Sequence, residues 1–245
     1  MKKYFAKTFL GLCALGTSTV AFAQEAAAPA VETGWYQALK VKFIEGGADF
    51  MSSIAIVLIF GLAFCLERII YLNLAEINTQ KFLKGLEDAL DKGDVESAKT
   101  LARDTRGPIA SIAYQGLMRL DQGIDVVEKS IVSYGGVQGG LLEKNLSWVT
   151  LFIAIAPSLG FLGTVVGMVM AFDKIEQVGD ISPMVVAGGM KVALITTIGG
   201  LIVALILQVF YNYLLTKVEA LLNQMEDASV TLVDLVYKYN LKFKK

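Results

Sequence analysis

Hydroxyl side chains lie within two apolar segments of this chain, each long enough to cross a lipid bilayer. Thr164 lies near the centre of the segment AIAPSLGFLGTVVGMVMAF (154–172), and Thr196 and Thr197 lie in a later segment, 184–215. A threonine in a membrane helix often donates its hydrogen bond to its own backbone carbonyl four residues earlier. Because both segments carry central threonines beside glycines, the sequence also favours a second interpretation, a narrow hydroxyl-lined interior that passes protons or ions.

Glycines flank these threonines in both segments. Gly163 and Gly167 have the GxxxG spacing at which two membrane helices approach closely. At about 100° per residue, Thr164 shares its helix face with Gly160 and Gly167. We therefore predict helix-packing roles for Gly160, Gly163, Gly167, Gly199 and Gly200.

Titratable side chains are almost absent from the same segments. Segments 146–172 and 184–215 contain no Asp, Glu or His, and their one charged residue is Lys191. Lys191 lies about two turns inside the end of its segment, so it could extend toward the acids of the preceding loop or have an electrostatic role within the membrane. If protons pass here, the group that carries them must come from another subunit.

The composition indicates an integral membrane protein. Hydrophobic residues make up 55% of the 245 residues and charged residues 18%, against roughly 25% charged in soluble domains, and the mean hydropathy is +0.57. The net charge of −1 gives no indication of nucleic-acid binding. Without histidine the chain lacks the commonest metal ligand and general base. Its two cysteines, Cys13 and Cys65, form no disulfide framework or CxxC site. We therefore expect no enzyme activity, no cofactor and no metal.

The N-terminus resembles a secretory signal. Residues 1–23 combine early lysines, an apolar stretch and the sequence Ala21-Phe22-Ala23, which is typical of a cleavage site. An uncleaved amphipathic or short anchoring helix is the alternative. If cleavage occurs, 24–49 is a periplasmic N-terminal segment.

Three segments have the length and apolarity of transmembrane helices, namely 50–72, 146–172 and 184–215. The connection 173–183 is net negative, whereas the tail 216–245 ends in lysines. The positive-inside bias therefore places the mature N-terminus outside and the C-terminus inside. Glu67 and Arg68, near the inner end of the first span, can reach the interface and pair with each other.

The segment 73–145 is then cytoplasmic, and its apolar spacing predicts helices. We expect Asp94 to cap one helix and Gly107-Pro108 to end another. From Ile124 the pattern continues into the second span, which favours one long helix between membrane and cytoplasm. The sequence GGVQGG (135–140) within it is either a close-packing face or a weak point.

Two runs carry a family resemblance. EKNLSWVTLFIAIAPSLGFLGTVVGMVMAF (143–172) resembles the signature of the MotA/TolQ/ExbB proton-channel family, in particular its ExbB/TolQ branch. ALITTIGGLIVAL (193–205) resembles the third-span pattern of that family. The resemblance extends over the three-span layout, the helical insertion and both late spans.

This resemblance implies an all-α membrane protein whose copies form a homo-oligomeric ring, a pentamer, with long helices reaching into the cytoplasm. The ring would surround the single membrane helices of an ExbD/TolR-like partner, whose membrane aspartate carries the proton, and would act on a TonB-like protein. Thr164 and Thr197 match the pore threonines of the family's second and third spans, and Thr196 is adjacent.

One position departs from the family pattern. The ExbB/TolQ branch usually has a glutamate five residues before the third-span threonine, where this chain has Val192 with Lys191 beside it. A mechanism that needs this glutamate would not apply here, but the aspartate of a partner can suffice.

The function that follows is that of an ExbB-like subunit of a proton-driven motor in the bacterial inner membrane, which energises TonB-dependent outer-membrane transport. A TolQ-like role in envelope maintenance and another motility or secretion stator are alternatives within the family. A passive membrane scaffold, whose glycines only pack helices against each other and lipid, is the alternative from another class. A substrate transporter fits less well because the spans show no broken-helix pair and no evident inverted repeat.

Overall fold

The computed structural model describes residues 34–179 and 183–243, which form helices connected by short turns. The predicted signal peptide, 1–23, lies outside the described residues, as does Asp180 of the predicted loop. The helices are α1 Trp35–Glu45, α2 Ala48–Ala75, α3 Thr79–Asp91, α4 Val95–Asp104, α5 Pro108–Leu117, a 3₁₀ turn Leu120–Gln122, α6 Ile124–Glu143, α7 Leu146–Val178 and α8 Pro183–Phe243. No strand occurs in these ranges, so the predicted all-α class is confirmed.

The described residues fall into two units, which divide between Ile44 and Glu45. Most of α1 belongs to the first unit. The second unit contains α2 to α8 and every site residue predicted above.

Three helices are long and apolar enough to cross a membrane, and they contain the three predicted spans. They are α2 with 28 residues, α7 with 33 and α8 with 61. At 1.5 Å per residue these lengths are about 42, 50 and 92 Å, so α8 extends far beyond any bilayer. The predicted domain limits, among them 73–145, 173–183 and 216–245, remain predictions because they depend on where the membrane lies.

The three long helices pack on one another, with α2 covering one side of the α7–α8 pair. A Cβ placed on Gly61 of α2 would lie 2.6 Å from Leu207 of α8. The ring of Phe64 stacks on Trp148 of α7 with 5.9 Å between centroids. Gly199 of α8 likewise faces Met51 of α2. The opposite side of the α7–α8 pair has no covering helix among the described residues.

Helices α3, α5 and α6 pack on the C-terminal half of α8, and α4 packs on α3 and α5; we call these elements together the distal bundle. Their buried apolar side chains recur at helical spacing, as the sequence predicts. The predicted cap is confirmed, since the Asp94 side chain accepts hydrogen bonds from the backbone N–H and the hydroxyl of Ser97. These bonds hold the pKa of Asp94 below its ordinary value. The predicted break is also confirmed, because Gly107 has φ 108° and Pro108 opens α5.

The distal bundle is tied to the end of α2 by an ion pair between Lys217 of α8 and Glu76. The carboxylate of Glu76 accepts a hydrogen bond from the ammonium group, which raises the pKa of Lys217.

The expected continuous helix from Ile124 through the second span is interrupted. Between α6 and α7, Asn145 has φ 68°, and it is the only non-glycine residue with positive φ in the described part of the chain. A left-handed residue costs about 1–2 kcal/mol unless it is glycine, and asparagine tolerates it best among the others. No proline or glycine marks this position, so the apolar period alone could not reveal the break.

The GGVQGG sequence does not interrupt α6. Gly139 is buried, and a Cβ placed on it would lie 3.1 Å from Leu222 of α8, whereas Gly136 and Gly140 face open space. Of the two predicted alternatives, close packing therefore applies to this segment, and it applies through Gly139.

Candidate functional site

The candidate site lies in the seam between α7 and α8, where small residues bring the two backbones together. A Cβ on Gly160 would lie 3.0 Å from the carbonyl oxygen of Thr196, and one on Gly200 would lie 2.4 Å from that of Ala156. Gly163 and Gly167 lie in the same seam, facing Thr196 and Ala193. The fifth predicted glycine, Gly199, faces α2 instead.

Close approach of the helices brings two threonine hydroxyls into contact. The Oγ1 atoms of Thr164 and Thr197 form a hydrogen bond across the seam. Thr164 Oγ1 also lies 3.2 Å from the carbonyl oxygen of Gly160 and 3.1 Å from that of Ala193. Thr197 Oγ1 lies 3.3 and 3.2 Å from the same two oxygens. Each threonine thus reaches its own carbonyl four residues earlier and the corresponding carbonyl of its partner.

This arrangement offers two hydroxyl protons more acceptors than they can use at once. Each hydroxyl can donate to its own carbonyl, to the opposite carbonyl or to the other hydroxyl, and each hydroxyl oxygen retains lone pairs. The pair can therefore change its hydrogen-bond arrangement with small rotations and can donate to, or accept from, a third polar group. Chemically it is suited to solvating or relaying a proton, although it contains no titratable acid.

The hydroxyl pair opens toward the uncovered side of the α7–α8 pair. Thr197 is two residues from Gly199, so the two positions lie about 200° apart around the helix, and Gly199 faces α2. Thr164 and Thr197 are both half-buried. Large apolar side chains surround them on this side, with exposed fractions of 67% for Phe161, 58% for Leu194 and 48% for Leu201.

Thr196 has a different environment from its neighbour. Its side chain is fully buried against Gly163 and donates to the carbonyl oxygen of Ala193 at 2.8 Å. The structure therefore brings Thr164 and Thr197 together on the uncovered side of α7 and α8, which we call the groove, and places Thr196 inside the seam.

Lys191 pairs with an acid that no local sequence pattern indicates, Glu45. Its Nζ lies 2.7 Å from Oε1 of Glu45, just before α2, rather than beside the loop acids Asp173 and Glu176. The ammonium side chain is 52% exposed and the carboxylate 28%. Val192, at the family's usual glutamate position, is half-buried. A carboxylate thus lies near the start of α8, supplied by a residue 146 positions earlier.

We predict that the Lys191–Glu45 ion pair contributes little to the stability of the fold. If the pair reaches water at the membrane surface, replacing Lys191 with Met should change the free energy of unfolding by no more than about 1 kcal/mol, as is usual for solvent-exposed ion pairs. Chemical unfolding of the full chain in mild detergent measures this, with Lys238→Met of the exposed Lys238–Glu87 pair as the control. A loss of several kcal/mol for Lys191→Met alone would give Lys191 a structural role that the geometry does not predict.

No cluster of three or more His, Cys, Asp or Glu side chains that could hold a metal occurs among the described residues.

Comparison with known proteins places the chain. The family model described as the MotA/TolQ/ExbB proton channel family matches residues 104–227, half of the chain. The chain belongs to the MotA/TolQ/ExbB family. The matched region contains α7, the predicted span 184–215 of α8, and the three threonines and five glycines predicted as site residues.

Relatives are named as ExbB proteins. The chain is 29% identical to a putative biopolymer transport protein ExbB homolog of Methanothermobacter thermautotrophicus, over 71% of this chain and 62% of the relative. It is 34% identical to the biopolymer transport protein exbB1 of Vibrio cholerae, over 37% of this chain and 48% of the relative. It is 36% identical to the biopolymer transport protein ExbB of Aquifex aeolicus, over 31% of this chain and 52% of the relative. The chain thus spans about half to three-fifths of the length of these relatives, and they support the ExbB-like branch of the MotA/TolQ/ExbB family.

Sequence reasoning missed one polar feature near the site and underestimated another. Glu45 was overlooked because it has no sequence signal that connects it to Lys191. The predicted local pairing of Glu67 with Arg68 is confirmed, but their reach to the α6–α7 junction was not foreseen. All three residues lie outside the region that the MotA/TolQ/ExbB model matches.

Proposed function

We propose that this chain is an ExbB-like subunit of a motor driven by the proton-motive force, and that Thr164 and Thr197 contact the proton-carrying group. The observation that carries the proposal is the outward-opening hydroxyl pair on the uncovered side of α7 and α8. A scaffold needs glycines in the seam, but it has no need for two hydroxyls that face a groove.

The groove requires a partner to function. Because 146–172 and 184–215 contain no acid, we propose that the proton carrier is an aspartate on the single membrane helix of an ExbD/TolR-like subunit. Burial against an apolar wall raises the pKa of a carboxyl group, so the aspartate would be protonated while it faces the helices. The two hydroxyls would supply hydrogen bonds when it ionises.

Several copies of this chain would together form the apolar surface that faces the partner helix. The exposed Phe161, Leu194 and Leu201 make the uncovered side apolar around the threonines, which suits a surface that faces neighbouring copies and a central partner helix. We propose a homo-oligomeric ring, a pentamer as the family resemblance implies. One charge that crosses 100 mV provides about 2.3 kcal/mol, so several crossings can drive a rearrangement between ring and partner.

We propose that the protein lies in the inner membrane with the mature N-terminus periplasmic and the C-terminus cytoplasmic. Basic residues near the same end of the three predicted spans, Arg68, Lys144 and Lys217, support this orientation together with the lysine-rich tail. The distal bundle would then be the cytoplasmic insertion. Since the relatives are named biopolymer transport proteins, we propose that the motor acts through a TonB-like protein on outer-membrane transport.

The first experiment is purification of the tagged full chain in mild detergent, followed by native mass measurement and identification of copurifying proteins. We expect five copies together with a small single-span protein that has an aspartate in its membrane helix. The same preparation from cells expressing Thr164→Val/Thr197→Val is the control, because those changes should leave assembly intact. A homo-oligomer without such a partner, even after crosslinking in intact cells, would favour the passive scaffold. Identification of a TolR-like or motility-type partner would instead favour envelope maintenance or another stator.

A further inference from the structure

The junction between α6 and α7 is held by a charged pair from another helix. Arg68 of α2 is 3% exposed, and it is the only buried charged residue in the described part of the chain. Its guanidinium binds both carboxylate oxygens of Glu67, at 2.8 and 2.6 Å. The Tyr71 ring covers the guanidinium carbon at 4.4 Å.

The remaining guanidinium nitrogen of Arg68 reaches the junction itself. Nη1 donates to the carbonyl oxygen of Lys144 at 2.9 Å and lies 3.4 Å from that of Leu141. These carbonyls belong to the C-terminal turn of α6 and to the linker, where the backbone lacks helical partners. Asn145, the left-handed residue, donates from its side-chain amide to Glu67 at 3.4 Å. The pair therefore contacts the last turn of α6 and both linker residues, Lys144 and Asn145.

The geometry suits arginine, and a lysine at this position could not make all of the same contacts. A planar guanidinium can bind a carboxylate with two nitrogens while the third nitrogen points away toward backbone carbonyls. A lysine ammonium is a single point of charge and cannot serve both groups at these separations. α7 begins without a side-chain cap of its own, and Arg68 and Glu67 supply side-chain hydrogen bonds to the two linker residues.

We propose that Glu67 and Arg68 are positioning residues that fix the angle between the distal bundle and the membrane part of α7. Thr164 lies on α7, and α6 packs in the distal bundle, so this junction connects the hydroxyl pair to the distal bundle along the chain. Under the proposed motor function, on which this inference depends, the Glu67–Arg68 pair, which we call the clamp, would transmit movement between the distal bundle and the membrane part of α7. The proposal itself concerns the junction and can be tested without any activity.

The test compares backbone hydrogen exchange in Arg68→Met and Arg68→Lys with that in Arg103→Met, using the full chain in lipid nanodiscs. Arg103 provides a matched control because it also pairs with an adjacent acid, Asp104, but it is exposed and contacts no junction. We expect exchange at residues 142–149 to increase at least about tenfold in both Arg68 variants. The reason is that the hydrogen bonds from Arg68 to the carbonyl oxygens of Leu141 and Lys144 are lost. Exchange at 158–168 should stay unchanged, because the glycine seam holds that part of α7.

Two results would overturn the clamp. If exchange at the junction equals that of Arg103→Met, Arg68 holds nothing there. If exchange rises equally along α2, α7 and α8, Arg68 is a general packing residue. If Arg68→Met does not accumulate, Arg68→Lys, which retains the charge, decides between these results.

The functional half of the proposal needs a second readout, dye-detected proton uptake into vesicles that hold the chain and its copurified partner. A junction that opens while uptake persists at the Arg103→Met level would overturn the positioning role and leave the proposed motor intact. Absence of uptake in the unchanged protein would count against the motor, whereas the exchange result at the junction would stand.

Discussion

Removing either groove hydroxyl is expected to reduce proton-driven activity by about 10- to 100-fold while the protein still folds and assembles. Thr164→Val and Thr197→Val retain nearly the same volume but lose the group that would hydrogen-bond an ionised carboxylate. A hydrogen bond to a charged group contributes about 1.5–3 kcal/mol, and 1.4 kcal/mol corresponds to tenfold. Proton uptake into vesicles that contain the chain and its partner measures the effect, and native mass of the same preparation verifies assembly.

The adjacent threonine provides the matched control. Thr196→Val removes a hydroxyl from the same helix, but this hydroxyl is fully buried in the seam and bonded to a carbonyl of its own helix. We expect near-normal uptake from Thr196→Val, and recovery of activity when Thr164 or Thr197 is replaced by Ser, which retains the hydroxyl. If Thr164→Val and Thr197→Val conduct as well as Thr196→Val, the threonines only pack and the scaffold becomes the better interpretation.

The main features of fold and site were accessible from the sequence because they depend on local patterns. Length and apolarity identify three spans, and the glycine spacing around Thr164 indicates close approach of two helices. The same arithmetic of 100° per residue places Thr164 with Gly160 on one face, and in the structure both lie at the seam with α8. Within a helix, the position of a residue in the sequence determines the face on which it lies, so such features can be predicted from the sequence.

Other features depend on contacts that no local pattern encodes. Lys191 meets Glu45 across 146 residues, and Arg68 meets Lys144 across 76 residues. The left-handed Asn145 interrupts a sequence that is helical in period throughout, because bonds from α2 satisfy the backbone there. Thr196 and Thr197 are neighbours in sequence but differ by about 100° around α8, which separates a sealed hydroxyl from one at the groove.

Gly200→Ala is expected to destabilise the protein by about 1–3 kcal/mol, the usual cost of overpacking. The added Cβ would lie 2.4 Å from the backbone carbonyl oxygen of Ala156, and backbone atoms cannot rotate away as a side chain does. The helices would have to separate at this level. Unfolding of the full chain in mixed detergent micelles measures the change in free energy.

Gly199→Ala is the control that separates steric crowding in the α7–α8 seam from the general effect of an alanine on helix propensity. Both substitutions lie in the same helix and gain the same helix propensity, about 0.8–1.0 kcal/mol, so this term cancels between them. At Gly199 the new Cβ would meet the end of the Met51 side chain at 3.3 Å, which can move. Because Gly200 is less than one turn from Thr197, separation of the helices should also weaken the Thr164–Thr197 contact, and Gly200→Ala should lose proton uptake that Gly199→Ala retains. Equal stability and equal uptake in the two variants would mean that the α7–α8 seam adjusts freely, and the hydroxyl contact would then not depend on the glycines.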